Sequence, residues 1–136
     1  MASEEDTTPQ ASTERILVVD DDEDFIVLVS DRLEDAEDFV VELAGSGAEA
    51  REKNFASYSA IVLDYNLPDV LGTELLEDIV SVCSTPVILL TAADVVETAV
   101  EVLRAGAFTY LVKRSSNLEL LPEILKQAAE DGRLRA

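Results

Sequence analysis

The sequence predicts a doubly wound α/β fold, a three-layer sandwich in which one parallel sheet lies between two layers of helices. Short apolar runs alternate with segments whose apolar residues recur every three or four positions, which is typical of repeated βαβ units. The central runs are almost continuously aliphatic and β-branched, as expected of strands covered on both faces. A length of 136 residues suits one domain of this class.

Five apolar runs predict the strands. We place them at about residues 15–20, 39–43, 60–63, 86–90 and 108–112. Right-handed crossovers between these strands would put helices on both faces of the sheet. For five such (βα) units we expect the flavodoxin-like strand order 2-1-3-4-5, whose switch point lies between the first and third strands.

Five helices are predicted between and after these strands, and each is amphipathic or short. The second is the short one, from about 47 to 55. The inward positions of the other four are, in chain order, Phe25, Leu28, Val29, Leu33 and Ala36; Leu75, Leu76, Ile79 and Val80; Ala99, Val102, Leu103 and Ala105; and Leu118, Leu121, Leu125 and Ala128. Asp22, Asp94 and Asn117 are the predicted N-caps, and Gly106 is the predicted end of the fourth helix.

The net charge of −19 limits the classes of partner. Nucleic-acid phosphates and anionic membrane surfaces would repel the chain, so we expect neither nucleic-acid nor membrane binding. An apolar fraction of 48% still supplies a core, and this much acid on a folded chain suits a halophilic cytoplasm, where salt screens the repulsion. No apolar run approaches the roughly 18 residues of a membrane span and no signal region is evident, so we expect a cytoplasmic location.

The domain is expected to occupy residues 15–131. Residues 1–14 are polar, acidic and without periodicity, which predicts a disordered tail, and residues 132–136 are predicted to be a short C-terminal tail. Cys83 is the only cysteine, so an internal disulfide is excluded, and we expect it to be a small packing residue. With one cysteine and no histidine, the composition argues against a zinc site.

Polar side chains stand at the carboxyl ends of four predicted strands. They are Asp20 and Asp21, Asp64, Thr91 and Lys113. Because the carboxyl ends of parallel strands share one edge of a sheet, we expect these groups to meet there. Three carboxylates in one crevice repel one another, so either one keeps a proton or a cation lies among them. Mg²⁺ or Mn²⁺, held by carboxylates, waters and phosphate oxygens, would suit this set.

The same groups suit the transfer of a phosphoryl group to a carboxylate. Asp64 stands alone after its strand and could attack to form an aspartyl phosphate, while the Asp20–Asp21 pair holds the metal. Lys113 and the Thr91 hydroxyl would then bind phosphoryl oxygens. Each residue also has an ordinary interpretation as a helix cap, a turn residue or a solvated charge. Four such sites, each at a strand end, argue against coincidence.

Four strings in the chain resemble the receiver domain of two-component response regulators, of the CheY-like superfamily: ILVVDDDEDF, IVLDYNLPDVLG, PVILLTA and AGAFTYLVK. The resemblance covers about residues 15–129. It implies that Asp64 is the phospho-acceptor, that Lys113 is the charge partner of the phosphoryl group, and that a histidine kinase or phosphotransfer protein is the donor. It also implies a signalling switch rather than an enzyme, although receivers assist their own phosphorylation and dephosphorylation.

The resemblance assigns the remaining roles as well. Asp20 and Asp21 correspond to the acidic pair that binds Mg²⁺ together with the acceptor, and Asn66 to the position whose backbone carbonyl completes the metal shell. Thr91 corresponds to the switch hydroxyl and Tyr110 to the aromatic residue that moves inward behind it. Phosphorylation would thereby bias the surface formed by the fourth helix, fifth strand and fifth helix.

That surface is the expected binding site of an unknown downstream protein or of a second copy in a homodimer. Val95 and Val96 lie at its start, either as core packing or as part of such a patch. Because the chain ends near Ala136 with no output domain in the sequence, we expect a receiver that stands alone.

Three positions depart from the family pattern. Arg114 follows Lys113 where the family normally has proline after a cis peptide, and a cis bond without proline costs about 2.5–4 kcal/mol, so we expect a trans peptide and a reshaped loop. Leu71 occupies a position that is often polar, and Ala93 leaves an open path to Asp64.

Two other functions are compatible with parts of the sequence. One is a degenerate receiver that binds partners without phosphorylation, which Arg114 favours and the intact site residues oppose. The other is a flavodoxin-like cofactor protein, but such a site needs a glycine- or hydroxyl-rich phosphate loop after the first strand, and three aspartates stand there instead.

Overall fold

The sheet has five parallel strands in the order β2-β1-β3-β4-β5, which confirms the predicted topology. The computed structural model describes residues 14–35, 39–92 and 96–135. The strands are β1 (Glu14–Val19), β2 (Phe39–Ala44), β3 (Ala60–Asp64), β4 (Val87–Thr91) and β5 (Thr109–Val112). All residues of the inner strands β3 and β4 are buried, as their unbroken apolar runs predict.

Five helices connect and follow the strands. They are α1 (Glu23–Asp35), α2 (Gly47–Arg51), α3 (Gly72–Val82), α4 (Val96–Arg104) and α5 (Leu121–Arg135). A 3₁₀ turn at Phe55–Ser57 precedes β3, and a one-turn helix at Ser115–Leu118 precedes α5.

The two faces of the sheet are covered by different helices, giving three layers. In β1, Ile16 and Val18 pack with α1 and α5, whereas Leu17 and Val19 pack with α2, α3 and α4. Successive strand residues point to opposite faces, so one run of four apolar residues serves both cores.

Polar side chains fix the starts of the first two helices. The Asp22 carboxylate accepts a hydrogen bond from the Phe25 backbone N–H at 3.2 Å, which confirms Asp22 as the N-cap of α1. Ser46 caps α2 by accepting from the Glu49 N–H at 3.1 Å, and the Glu49 carboxylate accepts in return from the Gly45 N–H.

The buried stripes of the helices are narrower than predicted. Three residues expected to face inward are 38–48% exposed: Leu28, Val80 and Leu103. On α1 the fully buried positions are Val29 and Leu33, one turn apart, and Leu28 lies at the flank of that row. Ala36 and Asp94 lie outside the described residues.

Two helix boundaries also differ from the predictions. Helix α2 ends at Arg51 rather than near Phe55, and Phe55 instead begins the 3₁₀ turn. Asn117 does not cap α5: it lies within the one-turn helix, and its side-chain amide donates to the Val112 carbonyl at 2.8 Å. The chain therefore turns once more after β5 before α5 begins.

The first strand begins at Glu14 and the last helix ends at Arg135. Glu14 already pairs with Phe39 in the sheet, and α5 continues to Arg135, past the predicted boundary at residue 131. Arg133 and Glu14 form an ion pair of 2.8 Å that ties α5 to β1. None of the helices described in residues 14–35, 39–92 and 96–135 has the length and apolarity needed to cross a membrane.

Candidate functional site

The polar residues predicted at the strand ends meet at one edge of the sheet. Asp64 and Thr91 are the last residues of β3 and β4, and both are buried. Asp20 follows β1 and its N–H donates to the Ala44 carbonyl at 3.0 Å, and Lys113 follows β5 and donates to the Thr91 carbonyl at 2.8 Å. These bonds continue the sheet by one residue, so Asp20 and Lys113 have fixed backbones.

Three carboxylates form a cluster at this edge. One oxygen from each of Asp20, Asp21 and Asp64 lies within 4.8 Å of the other two. Asp20 and Asp64 are buried whereas Asp21 is exposed, so the cluster opens to solvent on the Asp21 side.

Asp20 carries a buried oxygen whose hydrogen-bonding capacity is not satisfied. Its Oδ1 accepts from the Asp22 N–H at 2.9 Å, but its Oδ2 has no hydrogen bond. Lys113 Nζ is 2.8 Å from that oxygen and forms an ion pair with it. A buried carboxylate oxygen in this position is the kind of atom that a metal ion satisfies.

Lys113 is held among two carboxylates and an aromatic ring. Its Nζ lies 2.8 Å from Asp20 Oδ2, 3.4 Å from Asp64 Oδ1 and 4.5 Å from the centre of the Phe25 ring. Burial acts to lower the pKa of Lys113, but contact with Asp20 and the charges of Asp64 and Asp20 outweigh it and raise this pKa above 10.5. The Lys113–Arg114 peptide is trans, as predicted, and the lysine still reaches both carboxylates.

The ionised form of the Asp64 carboxylate is destabilised by its surroundings. Burial and, second, the charge of Asp20 raise its pKa from 3.8 to about 6, while Lys113 and the Asn66 backbone N–H act in the opposite direction. The ionised form therefore predominates near neutral pH but lacks full compensation. A second cation at this edge of the sheet would stabilise the ionised carboxylate of Asp64.

The loop after Asp64 is closed by a glycine that the sequence reasoning did not single out. Gly72 donates its N–H to the Tyr65 carbonyl at 2.7 Å, and Asn66 forms an antiparallel bridge with Leu71. A Cβ atom at Gly72 would lie 2.6 Å from the Asp64 carbonyl oxygen and 2.7 Å from the Tyr65 Cα. Only glycine permits this approach, so Gly72 sets the backbone position of Asp64.

Asp69 anchors the same loop to α2. Its two carboxylate oxygens accept from the backbone N–H groups of Gly47 and Ala48 at 2.8 and 2.9 Å, and these bonds lower its pKa. The partners are 21 and 22 residues away along the chain. No local pattern in the sequence signals such a contact.

Thr91 and Tyr110 lie on the β4–β5 side of the site. Thr91 pairs with Val112, one position beyond the pairing of Asp64 with Leu90, which puts its side chain near the end of β3. Tyr110 is partly buried against the core that includes α3 and α4. Thr91 thus ends the strand beside β3, and Tyr110 lies on β5 against the core that α3 and α4 share.

Comparisons with known proteins agree with this geometry. The family model described as the response regulator receiver domain matches residues 16–125. The CpxR homolog of Haemophilus influenzae, a transcriptional regulatory protein, is 38% identical over 110 residues, which cover 81% of this chain and 48% of that protein. The regulatory protein AtoC of Escherichia coli is 37% identical over 102 residues, covering 73% of this chain and 22% of that protein.

A crystal structure of a CheY-like response regulator receiver domain protein from Methanospirillum hungatei superposes with a TM-score of 0.81 at 31% identity, covering 92% of this chain and 100% of that one. The chain spans about half, or less, of the length of the curated relatives above. The segment that the family model matches, residues 16–125, contains Asp20, Asp21, Asp64, Thr91 and Lys113. The chain belongs to the response regulator receiver domain family of two-component systems.

Proposed function

We propose that this receiver takes a phosphoryl group onto Asp64 from a phosphohistidine of a histidine kinase or phosphotransfer protein. The observation that supports it most directly is the cluster of three carboxylate oxygens within 4.8 Å, with the Lys113 ammonium in contact with two of them. This cluster combines a nucleophile, a cation-binding pair and a fixed positive charge in one crevice.

The donor set fits Mg²⁺ or Mn²⁺. Asp20, Asp21 and Asp64 would hold the ion together with the Asn66 carbonyl, and Asp20 Oδ2, which pairs with Lys113, would be one of the oxygens open to the ion. When bound, the ion supplies positive charge that neutralises phosphoryl oxygens.

The chain's own residues account for the transfer. A carboxylate oxygen of Asp64 forms the new P–O bond, the P–N bond to the donor imidazole breaks, and its electron pair remains on the imidazole nitrogen. Lys113, at 3.4 Å from Asp64 Oδ1, is close enough to stabilise charge on the transferred group. Receivers of this kind are signalling switches.

The output would be a change in the α4–β5–α5 surface. We infer that the Thr91 hydroxyl turns toward the phosphoryl group and that Tyr110 fills the space behind it. Val96 is 75% exposed and is thus available to a downstream protein or a second copy rather than to the core. Val95 lies outside the described residues.

Incubation with Mg²⁺ and acetyl phosphate, followed by intact-mass measurement, tests the proposal. The wild type should gain one phosphoryl group, and Asp64→Asn, which has almost the same shape, should gain none. A folded wild type that gains nothing would instead favour a module that binds partners without phosphorylation. The contacts of Lys113 with Asp20 and Asp64 weaken that alternative, because the lysine reaches both carboxylates although Arg114 rather than proline follows it.

A further inference from the structure

A groove of about 830 Å³ lies between α3 and α4. Its apolar part is formed by Leu71, Val96 and Val100, which are 49%, 75% and 42% exposed. Aliphatic side chains this exposed and this close together gain free energy when another apolar surface covers them.

The walls of the groove are acidic. Glu74 and Glu77 are one turn apart on α3, and Glu97 and Glu101 are one turn apart on α4, with Arg104 as the only cation among the lining residues. Carboxylates spaced by one turn repel and slightly destabilise a helix. A row of glutamates on each side of an apolar strip is typical of a site that binds a basic amphipathic segment.

We propose that this groove docks a cationic amphipathic segment of a partner protein, with its aliphatic side chains on Leu71, Val96 and Val100 and its lysines or arginines against the glutamates. Complementary charge favours this occupant over a second copy, because a chain of net charge −19 would bring acid to acid. The groove differs from the α4–β5–α5 surface in that α3 forms one of its walls, and Val96 at the start of α4 borders both.

The groove also touches the loop that carries the phospho-acceptor. Leu71 bridges to Asn66, and the Tyr65 hydroxyl donates to Glu101 Oε1 at 3.3 Å. Docking can nevertheless be tested on the unmodified protein, so the result does not depend on whether Asp64 is phosphorylated.

The probe is a fluorescein-labelled helical peptide of leucine, alanine and arginine with its leucines on one face, and anisotropy at about 0.15 M salt measures its binding. Glu74→Gln with Glu97→Gln should weaken binding about tenfold. The matched pair Glu34→Gln with Glu123→Gln, on α1 and α5, removes the same charge from the other face of the sheet and should change affinity less than about twofold.

A second comparison isolates the apolar contribution. Val100→Thr replaces a methyl group with a hydroxyl in the groove and should weaken binding about threefold, whereas Val27→Thr, an exposed position on α1, should not. The proposal is wrong if wild type does not bind the peptide or if both charge pairs weaken binding equally, which would mean general attraction to an acidic protein. It is also wrong if wild type dimerises and Val100→Thr abolishes the dimer, since the groove would then belong to a second copy.

Discussion

Lys113 shows how one side chain keeps an acidic site folded. Its ammonium offsets two buried carboxylates, and the Phe25 ring covers it at 4.5 Å. An aromatic face attracts a cation and also keeps water away from it. Phe25 was predicted only as an inward residue of α1, so its contact with the lysine gives it a second role, that of positioning the ammonium.

The Phe25–Lys113 contact should be measurable as a coupling energy. We expect a double-mutant cycle of Phe25→Leu and Lys113→Met, followed by urea unfolding, to give a coupling of about 0.5–2 kcal/mol. Phe25→Tyr keeps an aromatic ring at this position and should therefore retain most of the coupling energy. A coupling near zero would show that the ring only fills space.

At the scale of elements, the β3–α3 loop sets the position of the acceptor. We expect Gly72→Ala to lower the free energy of unfolding by about 1–3 kcal/mol, because its Cβ would collide with the backbone of Asp64 and Tyr65. It should also reduce the yield of the acetyl phosphate reaction. The matched control is Gly45→Ala, whose Cβ would meet only the flexible end of Glu49 at 3.4 Å, and unfolding curves for the two variants should differ clearly.

The link between this loop and α2 should be sensitive to acid. The pKa of Asp69 lies below 3.8 in the folded protein, so its stabilising contribution is present above that value and is lost as pH falls through the lower, folded one. Wild type should therefore be more stable than Asp69→Asn near neutral pH, and the difference should shrink below pH 3.8. Asp31→Asn, an exposed change on α1, controls for net charge. A difference that did not vary with pH would contradict this.

At the scale of the whole molecule, a net charge of −19 should make stability depend on salt. Screening shortens from about 30 Å at 0.01 M to about 3 Å at 1 M salt, which removes most of the self-repulsion. Between these two salt concentrations we expect the free energy of unfolding to rise by about 2–3 kcal/mol, which is roughly 10 °C in Tm, and circular dichroism melting curves measure this change. A melting curve indifferent to salt would argue against the halophilic interpretation.

The strand order and the meeting of Asp20, Asp64 and Lys113 could be predicted because both follow from local patterns joined by one rule of sheet topology. Leu28 was wrongly predicted to face the core, because an apolar residue type does not show how much of a helix surface the neighbouring layer covers. Gly72 and Asp69 were missed because their importance lies in which distant backbone approaches them. That information appears only when the loops are folded.

The hydrogen bond from Tyr65 to Glu101 joins the residue next to the acceptor to a helix on the opposite side of the loop. A ligand that engages Glu101 and a modification that displaces Tyr65 act on the same bond. Thermodynamic reciprocity then requires that each change the equilibrium of the other by the same factor. To the extent that this bond couples them, a partner bound at α4 would shift the equilibrium between the unmodified and the modified acceptor, and modification would shift the affinity for that partner by the same factor.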